Sequence, residues 1–223
     1  MKIGLIVAME SEYIRLKQML DGCGDGSING NEIVLLRCGI GKVNAALGTA
    51  RLIAEHHPDC VVSTGVAGGV DSSLRVMDVV AASETVYHDV WCGDGNEYGQ
   101  IQGMPARYEA HPLLLKTATD VNLPDVRVVE GLTCTGDQFI TDRSALDAIK
   151  RRFPEALAVD MESAAIAHTC YLYETPFLSL RILSDTPGNT SDHLAQYFNF
   201  WATLGDKAFQ VVSAFLQSLP NKL

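Results

Sequence analysis

The sequence is poor in positive charge. It contains 17 Lys and Arg against 27 Asp and Glu, which gives a formal net charge of −10 at pH 7. No cluster of Lys or Arg offsets this balance locally, whereas proteins that bind nucleic acid or anionic membranes neutralise phosphates with clustered cations. We therefore expect neither nucleic acid nor a membrane as a partner.

Long apolar runs are also absent. No segment approaches the ~20 apolar residues that a membrane-spanning helix needs. The opening "MKIGLIVAM" is short, and Glu10 and Glu12 follow where a secretory signal peptide would need small residues. This stretch predicts a first β-strand, and we expect a cytoplasmic protein.

Motifs for metals, phosphates and dinucleotides are missing. The six cysteines include no C-x-x-C pair and predict mostly small core residues, and the histidines include no H-x-x-x-H pair. "GIGKVN" has the lysine of a phosphate-binding loop, but Val43 stands where Ser or Thr is needed and Asn44 replaces the last glycine of the dinucleotide fingerprint. We expect no metal, no cofactor and no Rossmann dehydrogenase.

What the sequence does contain is an alternation of strand and helix patterns, with no linker dividing residues 1–223, so we expect one domain. Near-continuous apolar runs such as "IGLIVAM" and "FLSLRIL" favour strands covered by helices on both faces. The pattern predicts an α/β fold of three layers, with a central mixed, largely parallel sheet. Strands are expected at Lys2–Met9, Glu32–Cys38, Cys60–Thr64, Asp78–Tyr87, Val126–Cys134 and Phe177–Leu183, and helices at Ser11–Leu20, Asn44–His56, Asp142–Arg152, Met161–Tyr173 and Ser191–Leu219.

Acidic side chains follow several of these strands. In open α/β sheets ligands bind beyond the carboxyl ends of the strands, where the chain places Glu12, Asp160, Glu162 and Asp185. Each has an ordinary structural interpretation: Glu12 suits a first helical turn, and Asp185 suits a turn before "TPGN". Asp160 and Glu162 share one face only if a strand continues through both. Together these acids predict acid/base chemistry at a C–O or C–N bond.

Two glycine-rich stretches have other interpretations. "TGVAGG", residues 64–69, predicts a turn at which the backbone approaches a ligand or a neighbouring strand. The polar stretch between Asp89 and Arg107 is too long for a simple connection, so it is a candidate lid or interface loop.

Eight motifs in order resemble the bacterial 5′-methylthioadenosine/S-adenosylhomocysteine nucleosidases of the purine nucleoside phosphorylase superfamily. They are "MKIGLIVAMESE", "CGIGKVNAALGTA", "STGVAGG", "VYHD", "EYGQ", "TGDQFI", "AVDMESAAIAH" and "RILSD". The resemblance implies a nucleoside phosphorylase-like fold, a homodimer, a small-molecule nucleoside substrate, and hydrolysis of thioadenosines to adenine and a thioribose.

The resemblance also implies roles for individual residues. Asp185 would protonate the departing adenine while Ser184 orients it, and Glu12 would activate water. Glu162, beside Met161, would bind the ribose hydroxyls. The positions implied for the rest of the substrate are Phe139, Ile140, Ala67 and Gly68 at the adenine, and Met9 and Ile40 at the 5′-thio group.

Two positions help to decide whether the nucleophile is water or phosphate. Related phosphorylases place Arg and Ser, which grip phosphate, where this chain has Ser63 and Val66. Losing the guanidinium and the hydroxyl removes an anion contact, so water is expected as the nucleophile. The chain also has Asp160 where the family usually has Glu, a shorter loop at Val90–Asn96, and Gln102 in place of a common proline.

Two other kinds of function stay open on the sequence alone. Another enzyme of the same fold would act on futalosine, AMP or a purine nucleoside. AMP would need a cationic 5′ pocket, and Met9 with Ile40 predicts an apolar one. A non-catalytic nucleoside-binding or storage protein would not need Glu12, Glu162 and Asp185 together.

Overall fold

The computed structural model describes residues 1–20, 25–124, 126–186, 193–203 and 208–223. Strands and helices alternate along most of the chain. The elements are β1 (Lys2–Val7), α1 (Glu10–Met19), β2 (Asp25–Ile28), β3 (Asn31–Arg37), α2 (Lys42–His56), β4 (Cys60–Gly69), β5 (Val79–Tyr87), β6 (Tyr108–Glu109), α3 (Pro112–Thr119), β7 (Val128–Thr135), α4 (Arg143–Arg152), β8 (Ala156–Asp160), α5 (Ser163–Leu172), β9 (Phe177–Asp185), α6 (His193–Thr203) and α7 (Gln210–Ser218).

Within the described residues the strands form one nine-stranded sheet in the order β2-β3-β1-β4-β8-β7-β5-β6, and β9 pairs with both β4 and β5. Strands β4, β8, β7, β5 and β9 therefore close into a ring. Five pairings are parallel (β1–β3, β1–β4, β4–β9, β5–β7 and β7–β8) and four are antiparallel (β2–β3, β4–β8, β5–β6 and β5–β9). The expected mixed sheet is confirmed.

Strand β1 is apolar from Ile3 onward because both of its faces are covered. Ile3 and Leu5 pack with Leu16 of α1 and Phe215 of α7, whereas Ile6 belongs to a separate cluster that contains residues of α2 and α5. Because side chains of a strand alternate between its two faces, a strand covered on both sides must be apolar at consecutive positions. The expected three-layer α/β/α arrangement is confirmed.

Some predicted boundaries were wrong. The strand predicted for Cys60–Thr64 continues to Gly69, so "TGVAGG" is strand rather than turn. The helix predicted from Met161 begins at Ser163, after β8 has ended at Asp160. Asp160 and Glu162 therefore do not lie on one continuous strand.

The C-terminal prediction also needs correction. A single helix was expected for Ser191–Leu219, but a turn at Phe209 interrupts it, and α7 begins at Gln210. Residues 204–207 lie outside the described residues. The predicted start at Ser191 lies outside the described residues. The prediction also missed α3, which begins with Pro112 at its first position, where a missing N–H costs nothing.

The stretch between Asp89 and Arg107 contains no helix or strand. Its exposed Trp91 stacks on Tyr98, with ring centroids 6.0 Å apart, and Tyr98 in turn contacts Phe153 of the core. Among the described residues, no helix has both the length and the apolar composition needed to cross a bilayer.

The expectation that most cysteines are core residues holds for Cys60, Cys134 and Cys170, which are buried. Cys38 is partly buried and Cys92 is exposed. Cys23 lies outside the described residues.

Candidate active site

A cavity opens at the carboxyl ends of β1, β4, β8 and β9, where the sequence places most of its candidate acids. Its empty volume, which includes space open to solvent, is about 670 Å³. The lining comes from these strand ends, from the segments after β1 and β7, from the segment before α2, and from α6. The lining residues are Ala8, Met9, Glu12, Ile40, Val66, Ala67, Gly68, Gln138, Phe139, Ile140, Val159, Asp160, Met161, Glu162, Ser184, Asp185 and Tyr197.

All eleven site residues proposed from the sequence lie in this lining. Gln138 and Tyr197 were missed. Gln138 stands next to Phe139 in "TGDQFI", so its position was available. Tyr197 comes from α6, and nothing in its local sequence separates it from the other aromatic residues of that helix. Its ring contacts Phe139 edge-on at 5.6 Å, and its hydroxyl lies 3.6 Å from the Met9 sulfur.

Glu12 is held by three backbone N–H groups. Its Oε2 accepts from Ala8 at 3.1 Å and from Met9 at 2.9 Å, and its Oε1 accepts from Val66 at 3.0 Å. The position in a first helical turn that the sequence suggested is thus present, and Glu12 also caps α1, since Met9 is the N-cap residue. Burial raises the pKa of Glu12, although these hydrogen bonds and Arg181 act in the opposite direction. A buried acid with a raised pKa suits proton transfer near neutral pH.

Gly65 explains why "TGVAGG" needs glycine. Its φ is +146°, and an added Cβ would lie 2.5 Å from Glu12 Oε1 and 3.0 Å from Arg181 Nη1. Only a residue without a side chain allows this backbone to pass so close to the carboxylate. The expected close approach is present, but within a strand and not in a turn.

Arg181 lies behind the cavity in the middle of β9 and is 2% exposed. Its Nε donates to Asp160 Oδ2 at 2.6 Å and to Ser163 Oγ at 2.9 Å, and its Nη2 donates to Ser63 Oγ at 2.8 Å. Asp160 also accepts from the Thr135 hydroxyl at 2.5 Å. A buried ion pair persists only when such hydrogen bonds offset its desolvation. Asp160 therefore fixes Arg181, and Ser63 belongs to this network.

Glu162 is the N-cap residue of α5, and its Oε1 accepts a hydrogen bond from Gly41 N at 2.9 Å. Burial, together with the negative charge of nearby Asp160, raises its pKa to about 7. Arg181 and the Gly41 N–H oppose this shift. Near neutral pH both protonation states of Glu162 are therefore populated, so its side chain can accept a hydrogen bond from a ligand or donate one to it.

Asp185 ends β9 and is 3% exposed. Its Oδ1 accepts from the Ser184 hydroxyl at 2.7 Å. Ser184 is itself buried, so this contact fixes the direction of the carboxyl group at the cavity wall. The buried strand that ends in "RILSD" therefore terminates in an acid that faces a cavity.

Ionisable groups of the lining are acidic. None of the described residues that line the cavity is Lys, Arg or His. No group of three or more His, Cys, Asp or Glu is placed to hold a metal ion in the part of the chain that the structure describes. The arrangement suits a neutral ligand and acid/base chemistry on it.

Comparison with known proteins identifies relatives along the whole chain. The family model described as "Phosphorylase superfamily" matches residues 25–217. A 5′-methylthioadenosine/S-adenosylhomocysteine nucleosidase of Chromohalobacter salexigens is 45% identical over 210 residues, which cover 88% of this chain and 89% of the relative.

Solved structures agree with the sequence relatives. The nucleosidase of Colwellia psychrerythraea in complex with adenine has a TM-score of 0.92 and 37% identity, covering 100% of this chain and 97% of that one. The nucleosidase of Neisseria meningitidis in complex with methylthio-immucillin-A has a TM-score of 0.90 and 35% identity, covering 98% and 99%.

Proposed function

The chain belongs to the 5′-methylthioadenosine/S-adenosylhomocysteine nucleosidases of the phosphorylase superfamily, and we propose that it hydrolyses the N-glycosidic bond of these two thioadenosines. The products are adenine and the corresponding 5′-thioribose. One observation carries the proposal: relatives of this activity match nearly the whole chain. The candidate acids, which surround one cavity, agree with it.

Asp185 acts at the base. Cleavage passes through a state in which the sugar becomes positive and the departing base negative, so an acid beside the adenine stabilises the leaving group. The Ser184 hydroxyl, 2.7 Å from Asp185 Oδ1, orients that acid. Phe139 stacks on the adenine ring from its half-exposed position at the cavity wall, and Ile140, Ala67 and Gly68 complete this subsite.

Glu12 and Glu162 act at the sugar. Glu12 takes a proton from the attacking water as the new C–O bond forms, and burial, which raises its pKa, makes its carboxylate a stronger base. Glu162 binds the ribose hydroxyls beside Met161. Both carboxylates oppose the positive charge that develops on the sugar. Met9 and Ile40 supply an apolar surface for the 5′-thio group.

Water is the nucleophile in this proposal, and two features support it over phosphate. The described lining of the cavity lacks a cationic side chain, which a phosphate dianion or a 5′-phosphorylated substrate such as AMP would need. The Ser63 hydroxyl, at the position where phosphorylases carry Arg, is fully buried and pairs with Arg181.

Adenine release tests this function. Purified protein is incubated with methylthioadenosine, and separately with adenosylhomocysteine, in buffer with and without phosphate. We expect adenine release that does not depend on phosphate. Release only with phosphate would make the protein a phosphorylase, and no release in either buffer would contradict the proposal.

The proposed assembly is a homodimer. Val43 and Leu47 lie one helical turn apart on α2 and are 69% and 66% exposed, and Ile40 just before the helix is half exposed. Adjacent exposed apolar side chains mark protein interfaces. We expect a dimeric mass in light scattering, and a monomeric mass for Leu47→Glu. A monomeric wild-type protein would contradict this assembly.

We also propose a cytoplasmic location. The five cysteines that the structure describes are free thiols, as is usual in a reducing compartment. Cell fractionation tests this, and recovery of the protein outside the cytoplasm would contradict it.

A further inference from the structure

Lys42 is the lysine of "GIGKVN", which the proposed chemistry leaves without a role. Its Nζ lies 2.8 Å from both carboxylate oxygens of Asp89. The two side chains are 24% and 16% exposed, so solvent and salt screen this pair less than an ion pair on the open surface.

Asp137 extends the pair into a cluster of three residues. Its backbone N–H donates to Asp89 Oδ2 at 2.9 Å, and its Oδ1 accepts from the Lys42 backbone N–H at 2.8 Å. Lys42 is the first residue of α2, where the helix dipole favours a carboxylate. The cluster therefore joins the start of α2, the segment after β5 and the segment after β7.

Two of these joined segments enter the cavity. Gly41, adjacent to Lys42, donates its N–H to Glu162 at 2.9 Å. Asp137 is followed directly by Gln138, Phe139 and Ile140, all of which line the cavity. The Gly41 backbone also passes close to Asp137, since an added Cβ would lie 3.0 Å from its Oδ1. The segment next to the ribose and the segment next to the adenine are thus joined by one set of ionic and charge-assisted hydrogen bonds.

We propose that Lys42, Asp89 and Asp137 are positioning residues that hold the Gly41 segment and the Phe139–Ile140 segment at a fixed distance across the cavity. This inference rests on the proposed function, because it assigns the two segments to ribose and adenine. Lys42 and Asp89 act through the backbone they anchor, since neither lines the cavity. Charge-assisted hydrogen bonds suit this role, because displacement of a substrate by about 1 Å can reduce rates a hundredfold.

The test compares Lys42→Met, which keeps the apolar stem, with Lys42→Arg, which restores the charge. We expect Lys42→Met to raise KM for methylthioadenosine about tenfold or more, and Lys42→Arg to return it to within about threefold of wild type. The matched control is Lys116→Met. It breaks an exposed ion pair at the end of α3, in which Lys116 Nζ lies 2.8 Å from Asp120 Oδ2. It should leave KM unchanged.

The readout separates positioning from general stability. A purely structural role would lower the melting temperature and the fraction of active enzyme, which reduces apparent kcat but leaves KM unchanged. An unchanged KM in folded Lys42→Met would therefore overturn the proposal. If Lys42→Met does not fold, Asp89→Asn is held to the same expectation.

Equilibrium binding of adenine by calorimetry gives a second readout that does not require turnover. We expect adenine to bind Lys42→Met about tenfold more weakly than wild type, and equal affinity would overturn the inference. A different result would be wild-type protein that binds adenine but produces none from either thioadenosine. That result would contradict the proposed function, and the adenine affinities of Lys42→Met and wild type could still be compared.

Discussion

Replacing Glu162 by Gln should stabilise the protein above pH 7 while impairing substrate binding. Gln keeps the size of the side chain and an oxygen that can accept from Gly41 N, and it removes a buried negative charge beside Asp160. In the folded protein the pKa of Glu162 is raised from 4.5 to about 7. At about 1.4 kcal/mol for each pKa unit, ionised Glu162 destabilises the folded protein by about 3 kcal/mol.

The sign of the pH dependence follows from the direction of this shift. Because the folded pKa is above the unfolded one, the folded state holds the proton more tightly. The stabilisation is fully present below about pH 4.5 and is lost as the pH rises to about 7. The Gln side chain does not ionise, so the Glu162→Gln variant does not lose stability in this way. Its free energy of unfolding should exceed that of wild type only slightly at pH 5, and the difference should reach its maximum above pH 7.

Thermal unfolding at several pH values between 5 and 8 measures the effect. For a chain of this size, 1 kcal/mol corresponds to about 2–4 °C, so we expect Glu162→Gln to melt several degrees above wild type at pH 8. Exposed Glu109→Gln on β6 is the control and should follow wild type at every pH. A Glu162→Gln variant that is less stable than wild type at pH 8, or whose advantage does not change with pH, would refute this reasoning.

Three further predictions concern the residues next to Glu12 and the two catalytic acids. Gly65→Ala should abolish adenine release in a folded protein, because the added Cβ would lie 2.5 Å from Glu12 Oε1; activity assays with circular dichroism check this, and near-normal activity would contradict the assigned geometry. Arg181→Met should cost about 3–5 kcal/mol in denaturant unfolding, because it leaves Asp160 buried without its cation, and a loss below 1 kcal/mol would show that the pair is dispensable. Glu12→Gln and Asp185→Asn should each reduce kcat by about 10²–10⁴ while retaining adenine affinity; wild-type rates in either variant would exclude its assigned role.

The sequence predicted residues that lie together at one cavity, because strand ends are visible in it. "IGLIVAM" and "FLSLRIL" are near-continuous apolar stretches of strand length that end at polar residues, and parallel strands bring their carboxyl ends to one edge. The candidate acids Glu12, Asp160, Glu162 and Asp185 were all found this way. The resemblance to a known family then gave the apolar positions, such as Ile40 and Phe139, which no acid pattern marks.

Residues that act through tertiary contacts were harder to predict. Arg181 gave one usable signal, since it is a lone cation inside an apolar strand and must therefore find a buried partner. That its partner is Asp160, with Ser63 attached, depends on how β8 and β9 both pair with β4 in the folded sheet. Lys42 resembled part of a phosphate loop, but only the fold brings Asp89, from another strand end, to its ammonium group.

Hydrolysis of methylthioadenosine in ¹⁸O-labelled water tests the central claim most directly, because it identifies the nucleophile. The proposed mechanism predicts that the thioribose carries one ¹⁸O atom at the carbon released from adenine, whether or not phosphate is present. A thioribose 1-phosphate without the label would contradict it and would assign the cavity to phosphorolysis.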